Sequence, residues 1–541
     1  MEVKLMENTE NLKVLKELLK INFLTYFCKV NCQKYIRHSS RKQGSITLFF
    51  ALTLTLILSF LFSLLEASRV ETLANLAQRN LFLSLESAFG SYDVPLWQDY
   101  RMLFLDGGVG SQELDLTLLE GNIMQESWME QKGNSFYHMA LKNIEISGYT
   151  LATDYYGAAF EEQACKAIQE QLAQSVMKSL QEKLENGKKL AEDEQKTQEK
   201  WNSAKGAIKE AKEIESKEIE TEEENAKEDE RDKIEEGDSS ESTQELPENP
   251  INFVDLWKKS PILTLVVENP TQISGKAISK QERLITRKKK VGNMDAPNQK
   301  AVEKLWFIQY LNYYFSCQNE RGEGGSNNHA LDYELEYCIG GKETDQKNLE
   351  KVVNELLLLR ETGNLVTIMK DSKKQALALE IATAAVGFTG IPPLIQAVQI
   401  GILLAWSFVE SILDVRCLLA GGTVPLVKNI LEWKSDISLG QKAIEIETNK
   451  QQNEEGLSYR EYLQILLLLV KEDVLVYRAM DVVEQNIRLL PKRENFHMDC
   501  LIQRVKAEGT YTSHPLFLGF VTTVTIKDGE YHFNSNSKFS Y

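Results

Sequence analysis

The chain has 541 residues, enough for two or three domains with a sizeable core, and a formal net charge of −17. That charge is local, because residues 209–249 hold 18 acidic and 6 basic side chains, a net of −12, which leaves −5 for the rest. No extended basic face lies outside residues 20–42, which excludes nucleic-acid binding as a working class. Seven cysteines, at positions 28, 32, 165, 317, 338, 417 and 500, are irregularly spaced and form neither a disulfide framework nor a zinc motif.

Residues 1–44 carry a weak amphipathic pattern (Leu12, Leu15, Leu18, Leu19, Phe23) followed by Lys20, Lys29, Lys34, Arg37, Arg41 and Lys42, with no acidic residue among these cations. The expectation is a basic cytoplasmic arm that meets anionic lipid head groups. Residues 46–65 are uncharged and lack Pro and Gly. At about 1.5 Å per residue they give roughly 30 Å of helix, the thickness of a bilayer's hydrocarbon core. Thr47, Thr53, Thr55, Ser59 and Ser63 are tolerable there because a hydroxyl can bond back to its own helix. The positive-inside bias keeps the arm in the cytoplasm and sends residues 66–541 across.

Val70, Leu73, Ala77, Leu81, Leu85 and Ala88 recur at three or four residues, so the anchor is expected to continue as one helix from about 45 to 89. Arg41-Lys42-Gln43-Gly44-Ser45-Ile46-Thr47, the apolar run, and Leu65-Glu66-Ala67-Ser68-Arg69 together resemble the N-terminus of TadE/TadG-like proteins. Those are minor pseudopilin-type components of the Flp (tight adherence) pilus machinery. The resemblance covers residues 41–90 and implies partners in an envelope or pilus assembly, engaged through the anchor helix. Pilin-type processing favours Glu at the fifth residue after the Gly, where this chain has Phe49. Farther on, Leu331-Asp332-Tyr333-Glu334-Leu335-Glu336-Tyr337 with Gly340-Gly341-Lys342, and residues 409–416 before Gly421-Gly422, are similar to an uncharacterised family of membrane-anchored Gram-positive envelope proteins. That similarity implies an envelope location and no catalytic residues.

Beyond residue 90, residues 141–151 read as a strand interrupted by Gly148. A long helix is expected from Ala158, along Phe160, Ala164, Ile168, Leu172, Val176, Leu180 and Leu184, with its stripe thinning past Gly187. The acidic residues 209–249 have too little apolar surface to offset ordering, so disorder or a frayed helix is expected. Ile262-Leu263-Thr264-Leu265-Val266-Val267 reads as a strand, and Arg287-Lys288-Lys289-Lys290 as a basic cluster facing solvent or the acidic tract.

Residues 299–490 read as a helical domain. One helix carries Val302 to Phe315; a second runs from Asp345 to a C′ glycine at Gly363; a third covers about 374–386. A fourth starts at Pro392-Pro393 and ends near Ala420, and is expected to be buried in protein rather than to form a second span. Ser458-Tyr459-Arg460-Glu461 is a capping box opening a fifth helix that continues to about Leu490. Alternation at Leu518, Phe520, Thr522, Val524 and Ile526, with Lys527-Asp528-Gly529 before Glu530, signals a closing hairpin that pairs with residues 500–511 and 141–151.

The expected fold is therefore membrane-anchored and mainly α with a small antiparallel β-sheet (α+β), with one N-terminal transmembrane helix continuing into an extracytoplasmic helix. Its segments are 1–44 (arm), 45–65 (anchor), 66–208 (anchor-proximal helix, strand and long helix), 209–249 (acidic tract), 250–490 (helical domain) and 491–541 (C-terminal hairpin). No phosphate loop exists at Gly340-Gly341-Lys342, no Gly-x-Ser-x-Gly elbow occurs, and the six histidines are scattered. Asp332, Glu334 and Glu336 are the nearest thing to a catalytic carboxylate group; Glu410, Asp414 and Arg416 suit a buried ion pair. Cys317 and Cys338 flank the Gly-rich loop and have a bridge as one reading, buried free thiols as the other. No catalytic, metal or cofactor residue is assigned, no small-molecule ligand is expected, and membrane lipid and envelope proteins are the expected partners. A hydrolase of cell-wall polymers is the alternative.

Overall fold

The computed structural model describes residues 44–125, 136–171, 174–225, 250–267, 270–296, 304–320, 329–436, 442, 451–453, 455–517, 524 and 526–541. The basic arm, Cys28, Cys32, the Gly-rich loop 321–328, acidic residues 226–249, and Leu518, Phe520 and Thr522 of the expected strand lie outside them.

Two compact units are present, one of residues 1–73 with 513–531 and one of 74–512 with 532–541. Helix α1, Gly44–Phe89, is continuous through 46 residues, as its periodicity requires. Over its first twenty residues the large apolar side chains are exposed, from Ile46 at 63% to Leu65 at 49%. Thr53, Thr55 and Ser59 donate to carbonyls three or four residues back, so their hydroxyls are satisfied within the helix. Burial starts with Ser63 and Glu66 and continues through Val70, Leu73, Ala77, Leu81, Leu85 and Ala88, the stripe read from the sequence.

The larger unit begins with the second half of α1. Short α2 (Val94–Tyr100), β1 (Leu105–Asp106) and α3 (Leu116–Gln125) follow it. β2 (Ala140–Leu151) is bulged between Ile146 and Gly148, where the sequence places its interruption. A helix was expected to run unbroken from 158; instead α4 (Ala158–Gln169), α5 (Gln174–Glu192) and α6 (Glu194–Asn225) are separate. α6 carries the first part of the acidic tract as ordered helix, with Trp201, Ala204, Ala207 and Ala211 buried, because alanines supply the close-packing stripe that large apolar residues do not.

After α7 (Pro250–Lys259), the expected strand at 262–267 is a single helical turn, α8 (Leu263–Val266). The β-branched run is overridden by tertiary bonding: the Leu265 carbonyl accepts from Arg416 Nε at 2.7 Å, not from a neighbouring strand. α9 (Lys304–Tyr314), α10 (Glu334–Gly340), α11 (Asp345–Ile368), α12 (Ser372–Val386) and α13 (Pro392–Leu419) build the helical body. Gly363 does not cap α11. It lies inside the helix, where a Cβ would come 2.6 Å from the Leu426 carbonyl oxygen, so its role is close approach.

α13 is the centre of this body. It packs against α6, α7, α8, α11 and α12, and from Gly401 to Val415 every residue is buried. Strands β3 (Thr423–Val424) and β4 (Leu457–Ser458) pair before α14 (Tyr459–Leu469), which opens with the capping box of Ser458 and Glu461. The expected continuation to Leu490 fails at Val470, which is extended; α15 (Glu472–Arg488) starts afresh with two acidic residues in its first turn. Lys304 donates to the Leu468 carbonyl at 2.7 Å and also to that of Val470, taking the oxygens a continuous helix would have used.

β5 (Leu501–Ser513) pairs antiparallel with β1 and β2 and neighbours β7 (Glu530–Ser540) in a five-stranded sheet; β6 (Ile526–Lys527) forms a hairpin with the start of β7. Asp528 and Gly529 sit at φ 53° and 81°, the left-handed pair the Asp-Gly signal demands. The second half of α1 lies on this sheet: Tyr511 donates to Asn80 at 2.9 Å, and the Phe539 ring packs on Phe89 at 4.8 Å. Cys165, Cys317, Cys338, Cys417 and Cys500 are all free and buried, so the Cys317–Cys338 bridge does not form.

Gly401 marks the tightest crossing of α13, since a Cβ there would stand 2.5 Å from the Ala204 Cβ and 2.7 Å from Ile251 Cδ1. Gly401→Val is expected to push α6 and α7 away at a cost of roughly 1–3 kcal/mol. Denaturant unfolding of the purified full chain checks this; unchanged stability would show that the crossing relaxes without cost.

Candidate functional site

The three carboxylates singled out from the sequence do not converge. α10 begins at Glu334, so Asp332 precedes the helix and does not share a helical face with Glu336. Asp332 turns outward and accepts from Lys276 Nζ at 2.8 Å. Its partial burial works against ionisation, but the Lys276 and Ser274 hydrogen bonds hold its pKa below the usual range. Glu334 is buried and accepts from Ser316 N at 2.8 Å, Ser316 Oγ at 3.0 Å and Asn486 Nδ2 at 2.6 Å, with His329 Nδ1 2.9 Å away. Glu336 is also buried, and its Oε1 accepts from Gln318 N and the Tyr459 hydroxyl at 2.9 and 2.8 Å. Its Oε2 meets no donor, and burial pushes the group up to about 7 against both hydrogen bonds. These carboxylates hold α10 against α9, α14 and α15.

Glu410 and Asp414 are buried one turn apart on α13, as expected, but their cation is not Arg416. Two residues of helix turn Arg416 about 200° from Asp414, onto the opposite side. Arg360 of α11 supplies Nε and Nη2 to Asp414 Oδ2 at 3.0 and 2.9 Å, and its Nη1 reaches the Pro425 and Leu426 carbonyls and the Tyr462 hydroxyl. Lys428 bridges Glu410 and Asp414. Burial opposes the charge on Asp414, yet the Arg360 and Lys428 charges hold its pKa below the ordinary value.

The basic cluster at 287–290 does not face solvent as a whole. Arg287 grips Glu484 in a two-pronged bond, with Nη2 to Oε2 at 2.7 Å, and reaches Asp499 at 2.7 Å. Lys289 sits 4.5 Å above the Tyr477 ring, and the Lys290 N–H donates to Asp499 Oδ2 at 3.1 Å. Glu484, His497 and Asp499 bring their ligand-type atoms within 4.8 Å of one another. Two guanidinium groups, Arg287 and Arg488, already occupy Glu484, so the arrangement suits internal charge pairing rather than a dication.

A cleft of about 390 Å³ opens where the α5–α6 joint meets the α14–α15 break, lined by Glu194, Lys351, Glu355, Lys471 and Arg478 together with Leu466, Leu469 and Val474. Burial first, and then the Glu355 charge, pushes Glu194 up to about 7. Burial likewise raises Glu355, against the opposing charge of Lys351. Nearby on α4 and α15, Glu161 is raised to about 8 by burial, then by its hydrogen bond to Glu472 and that group's charge. Neither pair was legible, because both arise where helices break and no local motif announces the meeting.

A mainly helical α+β protein, with one N-terminal helix long and apolar enough to cross a membrane, is the class these features define. Residues 239–513, just over half of the chain, match DUF5702, a family of unknown function, and the chain belongs to that family. The matched residues contain the α10, α13 and Arg287–Glu484 networks, while α1 lies outside them. No curated protein and no solved structure matches the chain.

Two buried carboxylates titrate in opposite directions. Glu336 holds its proton more tightly in the folded state, so its contribution to stability is full below its ordinary 4.5 and is lost as pH rises through about 7. Glu484 is the reverse: burial would raise it, but the Arg287 and His497 bonds hold it at about 2, so its contribution is present above 4.5 and lost towards pH 2. Denaturant unfolding across pH should show the neutral-side decline flattened in Glu336→Gln. Glu484→Gln should lose the acid limb and roughly 3–5 kcal/mol, the cost of stranding a buried guanidinium. An unchanged profile in Glu336→Gln would refute the assignment.

Proposed function

We propose that this is a non-enzymatic, single-pass membrane-anchored extracytoplasmic protein, a minor pseudopilin-like structural component of a pilus-type or secretion assembly in the bacterial envelope. The observation that carries the reading is the division within α1. One uninterrupted helix exposes its apolar side chains for twenty residues, Leu56 at 67%, and then buries a regular stripe, Leu73 and Leu81 at 0%. Those two halves suit two media, lipid and protein. The basic residues before the helix orient it with residues 66–541 outside. The TadE/TadG-like resemblance of residues 41–90 extends the reading to pilus-type assembly. It is supported by the bonding of Glu334 and Glu336, which are engaged in holding helices together, and by Asp332, which turns outward to pair with Lys276.

The hydrolase alternative keeps one observation in its favour, the cleft in which Glu194 is held up to about 7 beside Glu355. Such a group carries a proton near neutral pH, as a general acid must.

The first of two measurements tests the topology that both readings share, and the second separates them. Asn536→Cys, at an exposed position, should react with an impermeant maleimide on whole cells in a variant lacking Cys28 and Cys32; labelling only after lysis would overturn the topology. Glu194→Gln with Glu355→Gln should leave envelope attachment and membrane-complex size unchanged. Loss of function in a folded double variant would favour the hydrolase.

A further inference from the structure

The cleft where the α5–α6 joint meets the α14–α15 break holds charges that the fold takes out of water without pairing them. Its volume of about 390 Å³ falls in the range of small-ligand sites. Glu194 stands in the first turn of α6, where the helix dipole favours a carboxylate. Even so, its side chain makes no hydrogen bond or ion pair among the described residues. Glu355 in the same cleft lies 3.6 Å from Lys351, so one carboxylate has its cation and the other does not.

Arg478 of α15 is the opposite case. Its Nη1 donates to the Cys338 and Ile339 carbonyls at the end of α10, at 2.8 and 2.7 Å, and no carboxylate pairs with it among the described residues. Lys471, exposed just before α15, also has no anion among them. Burial is the first cause that moves three of these groups towards their neutral forms, Glu194 and Glu355 upwards and Arg478 downwards. A carboxylate and a guanidinium left apart in one cleft each lack the partner that water would have supplied. The rest of the wall is aliphatic, with Leu466 and Leu469 from α14 and Val474 from α15, and Leu469 is 45% exposed.

The geometry points to a binding site for a small zwitterion with an aliphatic body, an α-amino acid or a dipeptide. Its ammonium meets Glu194, its carboxylate meets Arg478 and Lys471, and its side chain covers Leu469 and Val474. A simple cation is disfavoured because Lys351, Lys471 and Arg478 line the same space, and a simple anion because Glu194 and Glu355 do. A ligand with both charges answers both unpaired groups at once. The charged groups that share the cleft with Glu194 are Glu355 and Lys351 on α11 and Lys471 and Arg478 at α15, while α10 and α14 bring only aliphatic side chains. Below about 7 Glu194 holds a proton, so the ammonium binds in exchange for it. The site stands apart from the anchor reading, because attachment runs through α1 and a chain with an empty cleft stays attached.

The test is isothermal titration calorimetry of the full chain in detergent, with racemic leucine and leucyl-leucine as probes. At least one is expected to bind, roughly tenfold more tightly at pH 8 than at pH 6, the factor by which the ionised fraction of a group at about 7 changes. The N-acetylated form of that probe lacks the ammonium and its C-terminal amide lacks the carboxylate; each should bind about tenfold more weakly or worse. Glu194→Gln should weaken binding to a similar degree and remove the proton release at pH 7, read by comparing two buffers of different ionisation heat. No binding of either probe, analogues that bind as well as the probe, or unchanged binding by a folded Glu194→Gln variant would overturn the proposal and leave the anchor untouched. Leucyl-leucine should be recovered intact after the titration; its cleavage would overturn a pure binding site in favour of the hydrolase.

Discussion

Burying Glu410 and Asp414 on one side of α13 removes two negative charges from water, and the helical body is arranged to answer them. Arg360 arrives from α11, Lys428 from the segment after β3, and the N–H groups of Lys434 and Ser435 close the remaining oxygens of Glu410. These donors come from two separate stretches of chain, α11 and the segment after β3, so the network can be complete only when both are in register with α13. A buried ion pair adds little net stability over an apolar replacement, whereas removing one partner is costly. The consequence is specificity: α13 is apolar almost throughout and has many sliding partners, and these two carboxylates select one position for it.

The same logic recurs at smaller scale around α10 and α15. Glu334 binds Ser316 and Asn486, Asp481 receives the Tyr337 hydroxyl at 2.9 Å, and Glu484 is held between two arginines. α10 has only seven residues, all buried, too few to persist alone. Its place is fixed by carboxylates reaching outward from it and inward to it. These buried charged residues are therefore the internal fasteners of this fold.

What could be read in the sequence was what neighbours along the chain decide. The continuity of α1 follows from spacing alone, the start of α14 from Ser458 and Glu461, and the closing turn from Asp528-Gly529. Pairing of β2 with β5 was accessible because both are long alternating runs. What was hidden is non-local. Nothing near Leu265 says that Arg416 will take its carbonyl, and nothing near Val470 says that Lys304 will end the helix. The partner of Asp414 lies 54 residues away. The two raised carboxylate pairs had no sequence signal at all, since Glu194 and Glu161 read as ordinary solvated helix positions until another helix covers them.

The five buried thiols bear on biogenesis. Burial, ahead of neighbouring carboxylate charge, pushes Cys317 up to about 12 and raises Cys165 and Cys338 well above the usual thiol range. Thiolate is the species that attacks a disulfide, and these sulfurs scarcely form it once the core has closed. The native state thus demands no oxidative folding of these five residues, all of them free and buried. The hazard is confined to the interval before closure, when the same side chains are ordinary thiols. An unfolded chain would reach its native form fastest where oxidants are scarce, or where the helical body collapses sooner than a mixed disulfide can form.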